Sequence, residues 1–309
     1  VNISKLVKPD DNGLFYPQWL AQRHYNIYFK NNSELDIWFF DNALSRSPVK
    51  LADWNHDGRN DLNVHPDVAR AYRMGNLAEW VEAKKLNPNI LLLGNSDDIS
   101  SLEYQNQLHG VLMEALIGKR WSMERKYGWD KIMKRYRTSM KYTLAPHLVG
   151  FNVWGERTDY QGMRYGLTSC LLDDGYFSYT DNSVGYSSVP WFDEFDVDLG
   201  QPIDPPTDRV WKNGIYRRQF EYGMVLVNPA TSPKTVRVES GYRKINGIQD
   251  HEVNNGKIVT TLTLNGKDGV ILLKYSAVQN TSGLNATLEQ NKFGLKAATE
   301  GGSAARPND

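Results

Sequence analysis

Cysteine is almost absent from this sequence: its 309 residues contain one, Cys170, so no disulfide can close within the chain. Cys170 sits inside an apolar helical run and reads as a small core residue rather than a nucleophile. Long apolar stretches are missing as well, and no run approaches the roughly 20 residues that a membrane-spanning helix requires. Net charge is missing too, because 36 Lys and Arg offset 36 Asp and Glu. That balance argues against nucleic acid as the main partner, since phosphate binding needs a clustered basic surface. A neutral glycan is compatible with it. There is no Gly-x-Ser-x-Gly elbow, P-loop, dinucleotide fingerprint or His-Glu-x-x-His pair. The six histidines (His24, His56, His65, His109, His147 and His251) lack metal spacing. No organic cofactor is therefore expected. The first residue is Val1, with no signal-peptide pattern after it, so a processed or trimmed start and a secreted or extracellular location are expected.

What the sequence has in quantity is aromatic rings, nine Trp and seventeen Tyr. Aromatic faces stack on pyranose rings, although they also fill cores and interfaces.

Residues 14 to 180 read as alternating strands and helices. Leu35 to Phe40 is a short aromatic-rich strand ending at Asp41-Asn42. A helix follows over residues 66 to 86, with Val68, Tyr72, Leu77, Trp80, Val81 and Leu86 at apolar positions. His65-Pro66 starts it and Asn87-Pro88 stops it. Ile90 to Leu93 and Val111 to Met113 are further strands, the second ending at Glu114. Trp129 to Tyr142 is helical, Leu148 to Phe151 extended, Tyr160 to Leu172 helical and Tyr176 to Tyr179 extended.

Apolar strands alternating with helices imply a parallel sheet covered on both faces. The expected fold is an α/β (β/α)8 barrel of TIM type over residues 1–200. About five strands are legible where a closed barrel needs eight, so three N-terminal strands are expected to be missing from the sequence. An open doubly wound sheet is the alternative. From residue 205 the pattern turns all-β, with strands around Tyr216 to Val227, Thr235 to Glu239, Lys257 to Leu264 and Val270 to Tyr275. Turns at Asn254-Asn255-Gly256 and Asn265 to Gly269 separate the last three. A β-sandwich over 205–276 and a polar tail over 277–309 are expected.

Barrel chemistry is built at the carboxyl ends of the strands. Asp41 and Glu114 both close apolar strands, and two carboxylates so placed are what glycosidic cleavage needs. One protonates the leaving oxygen while the other attacks the anomeric carbon or activates water. Asp41 is expected as nucleophile or base and Glu114 as acid, with retention and inversion both open. Asp97, Asp98, Asn152, Trp154 and Glu156 follow other strand ends and are candidates for substrate binding. Trp154 would be a stacking platform, and Glu156 rivals Glu114 as proton donor. Asp174 could also touch substrate.

The run Asp53-Trp54-Asn55-His56-Asp57-Gly58-Arg59-Asn60-Asp61 matches part of a calcium loop of EF-hand type. Its candidate ligands are Asp53, Asn55, Asp57, Arg59 and Asp61. Position 12, however, is Val64 rather than the bidentate acid. A structural Ca2+ is the one cofactor expected.

These residues resemble the hypothetical glycosyl hydrolase (GHL15-like) group, TIM-barrel enzymes with an appended β-sandwich. The likeness is carried by Asp36-Ile-Trp-Phe-Phe-Asp41-Asn42, Gly110-Val-Leu-Met-Glu114 and the run from Tyr165 through Asp174-Gly-Tyr-Phe-Ser-Tyr179. It continues in Trp191-Phe-Asp-Glu194, Asp198-Leu-Gly200 and Tyr216-x-Arg218-x-Phe220-x-x-Gly223-x-Val225-Leu-Val-Asn228-Pro229. The resemblance implies hydrolysis of O-glycosidic bonds in a polysaccharide or oligosaccharide, with the acids carried onto Asp41 and Glu114. The competing readings are a non-catalytic glycan-binding or structural protein and a polysaccharide lyase.

Overall fold

The computed structural model describes residues 2–96, 98–118 and 121–275. Asp97, the pair 119–120 and the tail expected at 277–309 lie outside the described residues.

Helix α1 (Tyr16–His24) continues as a wider turn over Tyr25–Phe29 and leads to strand β1 (Ile37–Phe40). A two-stranded hairpin, β2 (Leu51–Ala52) and β3 (Asp61–Leu62), precedes α2 (Pro66–Leu86). Strands β4 (Leu91–Asn95) and β5 (Gly110–Gly118) come next, then α3 (Met123–Tyr127) and α4 (Trp129–Tyr142). β6 (Leu148–Gly155), α5 (Tyr160–Cys170) and β7 (Tyr176–Asp181) complete the first part. The five long strands lie side by side in the order β1-β4-β5-β6-β7, and every neighbouring pair is parallel.

Hydrophobic periodicity explains these elements. Pro66 opens α2, where its missing N–H costs nothing, and Val68, Tyr72, Trp80 and Ala83 are buried at helical spacing. Val81, expected on that face, points to solvent instead. In β1 the period of two buries Trp38 and Phe40, and Trp38 stacks on Phe29 at 4.4 Å between centroids. Ile37 and Phe39 lie on the opposite face, 44% and 46% exposed.

That exposed face marks the departure from the expected barrel. β1 and β7 are the edges of an open sheet, and a complete eight-stranded barrel is not formed among the described residues. The second departure is in β5, expected to stop at Glu114 but continuing to Gly118. Its register with β6 shifts between Met113 and Ile117, and Ala115 adopts φ 50°. This bulge lets the strand run on while re-aiming the side chains beside it.

The remaining strands are β8 (Tyr216–Gln219), β9 (Gly223–Asn228), β10 (Lys234–Lys244), β11 (Ile258–Leu264) and β12 (Asp268–Lys274). They form one antiparallel sheet in the order β11-β10-β12-β9-β8 rather than the two sheets of the expected sandwich. A second sheet is not needed to cover it. Val225, Val227 and Ile271 join the core of the parallel part, while Met224, Leu226, Val236 and Leu262 form a separate cluster on the other side. α5 covers the first face so closely that a Cβ added at Gly269 would stand 1.9 Å from Thr168 Oγ1. Register irregularity in β10, around Gly241 at φ 92°, lets that strand pair with both β11 and β12. Asp174, a possible substrate contact from sequence, instead bonds Arg218 at 2.6 Å beneath this sheet.

Candidate active site

Pairing register decides which side chains meet. Phe40 pairs with Gly94, so Asp41 follows on the same level as Asn95. Asn95 pairs with Leu112, and Glu114 lies two residues farther along β5, on the same face. Leu91, Leu93 and Asn95 keep that face on β4, as Ile37 and Phe39 do on β1.

The outcome is a three-residue bridge. The Asn95 amide nitrogen donates to Asp41 Oδ1 at 3.1 Å and to Glu114 Oε2 at 3.1 Å, one hydrogen to each carboxylate. Asn42, at a left-handed φ of 55°, turns its own amide onto Asp41 Oδ2 at 2.9 Å. Tyr72 from α2 pins this turn by donating to the Asn42 carbonyl at 3.0 Å. Glu114 Oε1 accepts from the Tyr186 hydroxyl. Desolvation of the hydroxyl where it meets Glu114, then that hydrogen bond and the Glu114 and Asp41 charges, push the phenol above its ordinary range although the residue as a whole is exposed. The phenol therefore stays a donor. Asp41 is exposed and Glu114 half-buried.

An aromatic wall stands beside the bridge. Trp121 and Trp154 have centroids 5.5 Å apart, and Trp154 meets Tyr186 edge-on at 5.5 Å. Asn95, Glu114 and Trp121 line an open cleft of about 430 Å³, within the range of small-molecule sites. The loop carrying Tyr186 is tied to the end of β7 by Asp181, whose backbone oxygen accepts from Gly185 N–H at 2.8 Å. The Asp181 carboxyl accepts from Ser183 and pairs with Arg157 at 3.1 Å, and these contacts hold it below the usual carboxylate range.

The other residues singled out from sequence are placed as follows. Trp154 is in the aromatic wall. Asn152 is buried and fully engaged: its oxygen accepts the bulged Ala115 N–H at 3.1 Å and its nitrogen donates to Ser178 and Thr180, each at 3.0 Å. It supports the bulge that aims Glu114. Asp98 turns back on its own loop, accepting from Ser100 N–H at 2.8 Å. Glu156 is exposed just past β6 and is not among the residues lining the cleft. Asp97 lies outside the described residues.

The loop from Asp53 to Asp61 does contain the sharp turn, with Gly58 at φ 86°. Its side-chain oxygens accept from the loop's own backbone, those of Asp53 and Asn55 both from Asp57 N–H. Asp53 accepts from Asp57 and Gly58 N–H, and Asp57 accepts from Arg59 N–H. Among the described residues no group of three or more His, Cys, Asp or Glu is disposed to hold a metal ion.

Three participants escaped the sequence reading: Asn95, Trp121 and Tyr186. Asn95 carried a usable signal, since it continues the Leu91-Leu93 phase onto the face of Asp41. Nothing in sequence spacing pointed to Tyr186, 72 residues from the carboxylate it touches.

Residues 11–224 match the family described as hypothetical glycosyl hydrolase family 15. No curated protein matches. Among solved structures, an Anoxybacillus alpha-amylase is similar at 11% identity and TM-score 0.32, over 68% of this chain and 58% of that one. A Geobacillus thermoleovorans alpha-amylase complexed with acarbose shows 11% identity and TM-score 0.34, over 69% and 59%. Eubacterium rectale Amy13B shows 9% identity and TM-score 0.40, over 78% and 60%. The chain thus spans less than two thirds of each of these structures. The family match covers more than half of the sequence, and this chain belongs to hypothetical glycosyl hydrolase family 15.

Proposed function

We propose that this chain carries the catalytic pair of a glycosidase that cleaves O-glycosidic bonds of an oligosaccharide or polysaccharide with retention of configuration. The observation that carries the reading is the Asn95 bridge. One oxygen of each carboxylate lies 3.1 Å from the same nitrogen, so these two nearest oxygens stand no more than about 6 Å apart, which favours the shorter of the two spacings. Retaining enzymes hold their carboxyl groups about 5–5.5 Å apart, whereas inverting enzymes leave about 6.5–9.5 Å for a water.

Roles follow from surroundings. Glu114 is the more deeply placed of the two, which suits a proton donor. Asp41 is the more exposed of the two, which suits a nucleophile open to the substrate. Glu114 gives its proton to the leaving glycosidic oxygen as that bond breaks, and an Asp41 oxygen bonds to the anomeric carbon. Glu114, now ionised, then takes a proton from water, which displaces Asp41 and frees the sugar. The Trp121, Trp154 and Tyr186 rings offer faces on which neighbouring pyranose rings stack.

The test is reducing-sugar release over a polysaccharide panel, with the first-formed anomer read by NMR. Retained product that disappears in Asp41→Asn and Glu114→Gln supports the proposal. Inverted product removes the covalent step. Binding without turnover in the parent protein moves the reading to a glycan-binding protein, and unsaturated products move it to a lyase.

A further inference from the structure

A second cavity, of about 370 Å³, lies on the far side of Asp41 from Glu114's neighbours, between β1, α1, α2 and the loop after β1. Trp38, Phe40 and Tyr72 supply its aromatic lining, and Asn42 lines both this cavity and the cleft. Its charged groups have one sign. Asp41 and Glu79 are its acids, its one basic residue is His24, and no Lys or Arg is in the lining. Burial, then the neighbouring Arg23, lowers the His24 pKa and so favours the neutral ring.

Glu79 is the anomaly. It sits on α2 and is 8% exposed, yet its carboxyl has no hydrogen bond or ion pair among the described residues. A buried carboxylate without a partner is costly, and such groups are normally paired. Its neighbour on the same helix shows the ordinary solution: Glu82, also buried, accepts from Gln22 at 2.8 Å and pairs with Lys85 at 3.5 Å. Burial pushes the Glu79 carboxyl up to about 7, close enough to neutrality for an incoming cation to draw off its proton. Glu79, Tyr72 and Asp41 all line this one cavity.

We infer that this cavity receives the ammonium group of an amino sugar, with Glu79 as its counter-charge and Asp41 at the boundary between this ring and the scissile bond. The chemistry is that of a cation site: two carboxyl groups, aromatic walls and no Lys or Arg to compete. An uncharged sugar could offer Glu79 only a hydroxyl, and an N-acetylated one only an amide N–H, so neither supplies the counter-charge. The inference rests on the glycosidase reading for the nature of the ligand, because the cavity adjoins the proposed nucleophile.

Binding separates the two. Calorimetry on the Glu114→Gln protein, where turnover is removed, would compare the fully de-N-acetylated chitobiose with N,N′-diacetylchitobiose and cellobiose at pH 7. The expected result is at least tenfold tighter binding of the amine, falling below threefold when Glu79→Gln is added. Equal affinities for the three disaccharides overturn the inference, as does a preference that survives Glu79→Gln. The comparison of ligands on the Glu79-containing protein decides the matter even if the second substitution impairs folding. Hydrolysis of neutral glycans with no amine preference sinks this inference alone, whereas amine binding without any hydrolysis sinks the glycosidase reading and keeps the cation site.

Discussion

The carboxyl end of the parallel sheet and the seam beneath the antiparallel sheet hold charge in opposite ways. At the seam, buried Arg164 pairs with Asp250 at 2.6 Å and Asp268 at 3.1 Å. Arg218, also buried, bonds Asp174 at 2.6 Å and the carbonyls of Asp204 and Leu171. These acids are neutralised by guanidinium groups that do not give up a proton. In the cleft, the donors reaching Asp41 and Glu114 among the described residues are neutral: two amides and a phenol. Neutral donors orient a carboxyl without cancelling its charge, so it stays free to exchange a proton or attack a carbon. On the proposed reading, the same residue type serves as fastener in one region and as reagent in the other.

The largest effects should separate these uses cleanly. Asp41→Asn and Glu114→Gln should each lower kcat by about 10³–10⁴-fold, the scale of losing a nucleophile or general acid. Thermal denaturation of both should stay within about 2 °C of the parent, because neither group lies in the core. Arg164→Ala should do the reverse. Removing it strands two acids in a buried seam, at a cost of about 3–5 kcal/mol in urea unfolding. Per folded molecule, kcat should hold. A large loss of kcat in folded Arg164→Ala would mean that the seam also shapes the cleft.

Glu79 belongs to neither region, being buried like the seam acids but unpaired. Its folded pKa is about 7 against an ordinary 4.5. Below pH 4.5 it is neutral in both states and costs nothing. As pH rises toward 7 the unfolded chain ionises first, so stability falls, and above 7 the loss levels off at about 3 kcal/mol. Glu79→Gln should therefore stabilise the protein by about that amount at pH 8 and hardly at all at pH 4. Unfolding curves at the two pH values measure it. A pH-independent difference would mean that the Glu79 carboxyl keeps its ordinary pKa in the folded protein, and a destabilisation by Glu79→Gln that grows with pH would mean that it is paired.

How much of this could be read beforehand differs by region for a physical reason. β1, α2 and α4 were legible because local periodicity specifies them, and α4 runs over Trp129–Tyr142 as its apolar spacing predicts. The apolar runs before Asp41 and Glu114 singled out both acids, whereas the register that brings them onto one sheet face was not legible. The bulge at Ala115 was not legible, since it depends on the Asn152 side chain of the adjacent strand. The sandwich expectation failed because strand patterning shows that a face is apolar without showing what covers it. Here α5 does so, from about 100 residues earlier in the chain, the scale of the separation between Arg164 and Asp268. Glu79 was invisible because a Glu among helical polar residues looks like any surface acid until its surroundings are known.

Tyr186 offers the finest test of the comparison, because it is the neutral donor that can be removed with one atom. Its hydroxyl bonds Glu114 while its ring meets Trp154, so Tyr186→Phe deletes the bond and keeps the wall. A hydrogen bond to a charged group contributes about 1.5–3 kcal/mol, and Tyr186, which is 68% exposed, belongs at or below the low end. The expected effect is a fall in kcat of about tenfold with KM and melting temperature unchanged. Tyr186→Ala should add a rise in KM, because the stacking face goes as well. If Tyr186→Phe instead raised KM and left kcat alone, the phenol would be holding sugar rather than aiming Glu114. The acid would then owe its orientation to Asn95 and the bulge.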